Sequence, residues 1–123
     1  SHIARAVLES VAYQSYELLI SMEKDIEQNF TEVKVDGGMI VNNLLMQFQA
    51  DIFDKNVISK ELQEITAYGA GLASYIVKND IEIEELDINQ KISKSWTPNI
   101  STELRKNYLD KWIKAVEKSK NWI

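Results

Sequence analysis

Val33-Lys34-Val35-Asp36-Gly37-Gly38-Met39-Ile40-Val41-Asn42-Asn43-Leu44-Leu45-Met46-Gln47-Phe48-Gln49-Ala50-Asp51 changes its apolar period once, and that change decides the fold. Val33 to Val35 alternates apolar and polar with β-branched residues, the pattern of a strand. Asp36-Gly37-Gly38 stops it with a turn. Beyond the glycines, Leu44 or Leu45, Phe48 and Ile52 recur at helical spacing as far as Asp54-Lys55-Asn56, which predicts a helix. Val57-Ile58 then reads as a second short strand. Two strands joined by a helix form a parallel unit, so both are expected in one sheet.

Outward from this unit the chain is mostly helical. Upstream, Ile3, Val7, Val11, Leu18, Met22 and Ile26 recur at helical spacing, with Ala6, Ala12, Tyr13 and Leu19 widening the stripe. A long first helix is predicted to end near Asn29. Downstream, Thr66-Ala67-Tyr68-Gly69-Ala70-Gly71-Leu72-Ala73-Ser74-Tyr75 is rich in small residues, and each glycine inside a helix costs about 1 kcal/mol relative to alanine. That density predicts a helix approached closely by the first helix or the sheet. Ile81 to Leu86 admits two readings, a strand by the alternation Ile81-Glu82-Ile83-Glu84 or a short acidic helix. Pro98 closes a loop, and Ser101 is placed to cap a last helix carrying Leu104, Tyr108, Trp112 and Val116 on one face up to about Lys120. The fold class is α/β and helix-rich, a short parallel strand-helix-strand unit packed by long helices.

Composition narrows the function. The chain has 123 residues, one domain's worth, and 14 basic against 19 acidic residues give a net charge of -5. A surface of that sign repels phosphate backbones and anionic lipid head groups, so neither nucleic acid nor a membrane is an expected partner. No stretch approaches the roughly 18 uninterrupted apolar residues of a spanning helix, and Ser1-His2-Ile3-Ala4-Arg5 lacks a signal-peptide pattern. The absence of cysteine removes disulfides and thiolate metal sites and agrees with a cytoplasmic address. The sequons Asn29-Phe30-Thr31 and Asn99-Ile100-Ser101 would be read only in a secreted protein. His2, the only histidine, reads as a helix-start residue, and the acidic run Glu82, Glu84, Glu85, Asp87 lacks the glycine-centred spacing of a calcium loop. Trp112 reads as core.

The chemistry concentrates at the glycines. Glycine admits positive φ and lets a ligand reach the backbone, and a helix start offers unpaired N–H groups to an anion. Gly37, Gly38 and Asn42 could therefore cradle a phosphate. The same residues could also be only a tight turn between strand and helix, and local pattern leaves both readings open.

The quoted string closely resembles the adenosine-binding segment of the glycerol-kinase branch of the FGGY carbohydrate-kinase family. The likeness continues through His2-Ile3-Ala4-Arg5-Ala6 and Leu8-Glu9-Ser10-Val11-Ala12-Tyr13-Gln14 upstream, and through Glu64-Ile65-Thr66-Ala67-Tyr68-Gly69-Ala70 downstream. Pro98, Tyr108, Trp112 and Ala115-Val116-Glu117 resemble the family's C-terminal helix. Met46-Gln47-Phe48-Gln49-Ala50-Asp51 is more similar to glycerol kinases than to sugar kinases. Lys60 stands where that branch usually carries proline, and Gly71 where it carries alanine.

The resemblance implies an actin-like, ribonuclease H-like ATPase fold, with residues 1–123 forming the C-terminal part of the second kinase domain. It implies that Gly38 presents its N–H to nucleotide phosphates, that Asn42 contacts the nucleotide by its side chain, and that Gly37 supplies room. ATP or ADP would be the cofactor, with Mg²⁺ held by residues other than these. The catalytic residue and the glycerol site would lie upstream, so no catalytic or metal-binding residue is assigned here. The activity implied is ATP-dependent phosphorylation of glycerol to glycerol 3-phosphate by a cytoplasmic, homo-oligomeric full-length enzyme, with the present chain inactive alone. The alternative is a stand-alone α/β protein-interaction module or a kinase remnant without catalysis.

Overall fold

A computed structural model describes residues 2–60, 65–82 and 92–120. The order of elements is α1 (His2–Ile26), β1 (Glu32–Val35), a 3₁₀ turn (Gly38–Val41), α2 (Asn43–Phe53), β2 (Asn56–Lys60), α3 (Ile65–Asn79), β3 (Ile92–Trp96) and α4 (Thr102–Lys118). The strands form one mixed sheet in the order β1-β2-β3. β1 and β2 are parallel, Val33 opposite Val57 and Val35 opposite Ser59, as the strand-helix-strand pattern predicts. β3 is antiparallel to β2, with Trp96 opposite Val57. Sequence pattern did not signal β3, because Ile92-Ser93-Lys94-Ser95-Trp96 is exposed except for Trp96 and so lacks an apolar alternation.

The core lies between α2, the sheet and one side of α1. Leu45, Ala50, Ile52, Phe53, Val57 and Trp96 are buried together with Ala12 and Leu19 of α1. Of the expected α1 stripe, only the flank carrying Ala12 and Leu19 meets them. Ile3, Val7, Leu18 and Met22 are 84%, 59%, 63% and 48% exposed, while Ala12 is fully buried. At about 100° per residue, the line of Ile3, Val7 and Leu18 points to a different side of the helix from Ala12 and Leu19. Small Ala12 lets α1 and α2 approach, and the aliphatic stripe faces outward. The helix stops at Ile26, short of Asn29, because Glu27 takes a left-handed conformation with φ of 55°.

The α3 helix departs from expectation. Its side chains from Thr66 onward are exposed or half-buried. A Cβ at Gly69 or Gly71 would meet nothing within 4 Å. The close approach inferred from the glycines is therefore not made at Gly69 or Gly71 by any described residue. Ile81 and Glu82 are neither helix nor strand, and the rest of the ambiguous stretch, with Glu84, Glu85 and Asp87, lies outside the described residues, as does Trp122.

Polar contacts fix the periphery. Ser101 Oγ accepts the Leu104 N–H at 3.2 Å, the predicted cap of α4. Asp51, 7% exposed on α2, accepts the Asn99 N–H at 2.7 Å. Arg105 donates to the Asp51 carbonyl at 2.9 Å and pairs with Asp54 at 2.6 Å. These bonds fasten the loop at Pro98 and the start of α4 to α2. No helix among the described residues is long and apolar enough to cross a membrane.

Candidate nucleotide-binding turn

Because β1 and β2 are parallel, their carboxyl ends open on the same side, where ligands of parallel α/β sheets bind. Gly37 leaves β1 with φ of 84° and ψ of -179°, a region essentially restricted to glycine. This conformation, not crowding, requires the residue, since a Cβ at Gly37 or at Gly38 would meet nothing within 4 Å. Gly38 begins the 3₁₀ turn with an ordinary φ. The Ile40 N–H donates to the Gly37 carbonyl at 3.3 Å, and the Asn42 N–H to the Met39 carbonyl at 3.0 Å. Buried Ile40 pins the turn to the core. The N–H groups of Gly38 and Met39 have no acceptor among the described hydrogen bonds, as expected at the start of a helical turn.

Asn42 caps α2. Its Oδ1 accepts the Leu45 N–H at 3.1 Å, while its carbonyl accepts the Met46 N–H at 3.1 Å. Its Nδ2 amide makes none of the described hydrogen bonds. The three residues singled out from the sequence thus stand within one short segment, but with a 3₁₀ turn between the glycines and α2. A small recess of about 30 Å³ beside the turn is lined by Ile40, Val41, Ser59, Lys60, Ser93 and Lys94. Lys60 and Lys94 bring positive charge to this end of an acidic chain. Another recess, between the starts of α1 and α2, is lined by Arg5, Leu8, Leu44 and Phe48 among others and includes none of the three residues.

Sequence reasoning missed two buried polar side chains near this geometry. Glu23, 8% exposed, accepts the Phe30 N–H at 2.6 Å and Lys55 Nζ at 2.8 Å, tying the end of α1 to the approach of β1 and to the α2–β2 corner. These partners hold its carboxyl below the usual carboxylate range, the Lys55 hydrogen bond most of all. Gln49 lies buried against the core, and its Oε1 has no partner among the described residues. A glutamate on a helix gives no sign of burial from pattern alone, so neither role was legible.

Residues 1–76 match the FGGY family of carbohydrate kinases, C-terminal domain. The glycerol kinase of Methylorubrum extorquens is 44% identical over 126 residues, covering 99% of this chain and 25% of that protein. That of a Janthinobacterium species is 45% identical over 123 residues, again 99% of this chain and 25% of its own length. Among solved structures, Plasmodium falciparum glycerol kinase with ADP superposes with a TM-score of 0.80 at 29% identity, over 99% of this chain and 25% of that one. Xylulose kinase from Rhodospirillum rubrum, at 19% identity and a TM-score of 0.67, shares the fold. The chain spans about a quarter of the length of the relatives it matches. Its small mixed sheet and long helices are those of a C-terminal sugar-kinase domain of actin-like type, and the chain belongs to the FGGY family of carbohydrate kinases.

Proposed function

We propose that this chain is the nucleotide-contacting part of an ATP-dependent glycerol kinase that forms glycerol 3-phosphate. The observation that carries the reading is the turn itself: Gly37 at φ 84°, no atom of the described residues near a Cβ at Gly38, and two N–H groups at the carboxyl end of β1 without acceptors among the described hydrogen bonds. Similarity to glycerol kinases over nearly the whole chain supports this choice of substrate, and the ADP in the Plasmodium falciparum structure supports an adenine nucleotide.

In this reading the Gly38 and Met39 N–H groups donate to phosphate oxygens, and Asn42 Nδ2 donates to the nucleotide while its Oδ1 keeps α2 capped. Phosphoryl transfer depends on such positioning and charge stabilisation more than on covalent chemistry by the protein. The turn presents N–H donors, which repel a cation, so these residues do not fit a Mg²⁺ ion and are given no role in holding one. Glycerol and the catalytic base are assigned to the remaining three quarters of a kinase of the relatives' length, and the chain alone is inactive. A cytoplasmic, homo-oligomeric enzyme follows from the same reading.

The test is an assay of glycerol 3-phosphate with ATP and glycerol, run on the product of the longer gene and on the 123-residue chain. The first is expected to be active and the second silent. Phosphorylation of a different polyol in preference to glycerol would overturn the substrate, and activity of the short chain would overturn the division of roles.

A further inference from the structure

We infer that Gln47, Asp51 and Arg105 are positioning residues for the nucleotide: they fasten α2 at a fixed place along its axis, and α2 carries the Asn42 end of the turn. The inference rests on the turn's proposed role in holding nucleotide phosphates. Gln47 Nε2 donates to Asp51 Oδ1 at 3.0 Å and to the Thr97 carbonyl at 2.8 Å. The same Asp51 oxygen accepts the Asn99 N–H at 2.7 Å. Arg105 Nε donates to the Asp51 carbonyl at 2.9 Å, while its Nη1 meets Asp54 Oδ2 at 2.6 Å. Thr97, Asn99 and Arg105 thus reach α2 from 48 to 54 residues further along the chain.

These bonds add what the core does not supply. Leu45, Ala50, Ile52 and Phe53 hold α2 against its neighbours, yet apolar contact is non-directional and sets no sharp position along the helix axis. Hydrogen bonds do, because N–H···O lengths fall within a range of only about 0.5 Å. Asp54, left-handed at φ 57°, ends the helix and gives its carboxylate to Arg105, so the clamp closes where the chain leaves α2 for β2.

The clamp and the turn sit at opposite ends of one rod. The helix has 11 residues, about 16 Å at 1.5 Å per residue, and its hydrogen-bond ladder makes it stiff. Asn42 both ends the 3₁₀ turn and caps α2, so a slide of α2 moves the Asn42 amide and drags the turn with it. Groups that recognise a ligand must be held within about 0.5 Å of their productive place. A slip too small to disturb the core is therefore enough to weaken nucleotide binding. Gln47 and Arg105 are half-buried, so cutting their bonds removes no side chain from the core.

The experiment uses the longer kinase, with steady-state kinetics and calorimetric binding of ADP. Gln47→Met keeps the stem and removes the amide, Arg105→Met breaks both arginine bonds, and Arg105→Lys can restore one of them. Gln47→Met and Arg105→Met should each raise the ATP KM and the ADP Kd about fivefold while the glycerol KM stays within about twofold, and Arg105→Lys should recover part of the loss. Gly38→Val is measured beside them, because it tests the nucleotide reading without touching the clamp. If Gly38→Val raises the ATP KM while folded Gln47→Met and Arg105→Met keep the parent value, the positioning role is overturned and the nucleotide reading stands. Equal losses for glycerol and ATP also overturn it, since they report a general loosening of the fold. Parent-like ATP kinetics in Gly38→Val would overturn the nucleotide reading and the positioning role with it. Should Arg105→Met fail to fold, Gln47→Met and Arg105→Lys decide by the same split between the two substrates.

Discussion

The rings of Tyr13 and Trp112 stack with centroids 5.0 Å apart and planes 11° from parallel, joining α1 to α4 across the length of the sequence. Phe48 meets the Tyr13 ring edge-on at 5.5 Å, and Trp112 Nε1 donates to Glu17 at 2.7 Å. The aromatic group is the seam that holds the last helix on the α1–α2 pair. Trp112→Ala should destabilise the chain by about 2 kcal/mol, less than a fully buried aromatic because the indole is half-exposed. A double-mutant cycle with Tyr13→Leu should return a coupling of about 0.5–1.5 kcal/mol. Urea denaturation followed by circular dichroism reads both. Burial, reinforced by Glu9 and Tyr108, pushes the Tyr13 phenol from 10.0 up to about 12. The unfolded chain therefore ionises this group first, so its contribution to stability is complete below pH 10 and is lost as pH rises toward 12.

Glu23 gives an acid-side prediction of opposite sign. Lys55 and the Phe30 N–H keep its carboxyl below the ordinary 4.5. A depressed carboxylate stabilises the fold above that ordinary value and ceases to do so as pH falls through its folded value. Glu23→Gln should be less stable than the parent at pH 7, and the gap should close below about pH 4.5. Parallel melts from pH 3 to 7 check this; a gap independent of pH would assign Glu23's contribution to packing.

The pattern of alternation and helical spacing made β1, α2, β2 and the Ser101 cap legible, because each of these elements buries a face or carries a capping side chain that leaves a local mark. β3 left no such mark: four of its five residues are exposed, and it exists through pairing with β2 and the anchorage of Trp96. The stripe on α1 was legible as a stripe, but not which part of its width meets the core. Ile3, Val7 and Leu18 are apolar at helical spacing, yet Ala12 and Leu19 meet the core. A single sequence reports that a face is apolar; it does not report which neighbour covers it. At the turn, Gly37's φ was foreseeable from residue type, and the cap on α2 from Asn42 preceding an apolar run, whereas the 3₁₀ turn between them was not.

The glycines of α3 yield a prediction that reverses the sequence-based one. With no atom of the described residues within 4 Å of a Cβ at Gly69, a methyl group there has nothing among them to overpack. Gly69→Ala should instead stabilise it by about 0.5–1 kcal/mol through helix propensity. Loss of stability in the isolated chain would show that something does lie against that helix. In a longer kinase the same change would be destabilising only if another part of the polypeptide approaches α3, so the pair of measurements locates the contact.

The two glycines of the turn should separate in their effects. Gly37→Val forces a β-branched residue into φ near 84°, so it should lower stability by about 1–3 kcal/mol whether or not nucleotide is present. A Cβ at Gly38 meets no described atom within 4 Å and the residue has an ordinary φ, so the folded chain should tolerate Gly38→Val with a change of about 0.5 kcal/mol or less. If the Gly38 N–H donates to a phosphate, however, the branched side chain fills the space the nucleotide needs. In the longer kinase, kcat/KM for ATP should then fall by roughly tenfold or more, about 1.4 kcal/mol, with glycerol affinity little changed. Asn42→Ala should lie between them, costing about 1 kcal/mol of stability through the lost cap and weakening ATP less than Gly38→Val does. Wild-type ATP kinetics in a folded Gly38→Val enzyme would leave the glycine pair as a turn and nothing more, because the open space above Gly38 would then hold no part of the nucleotide.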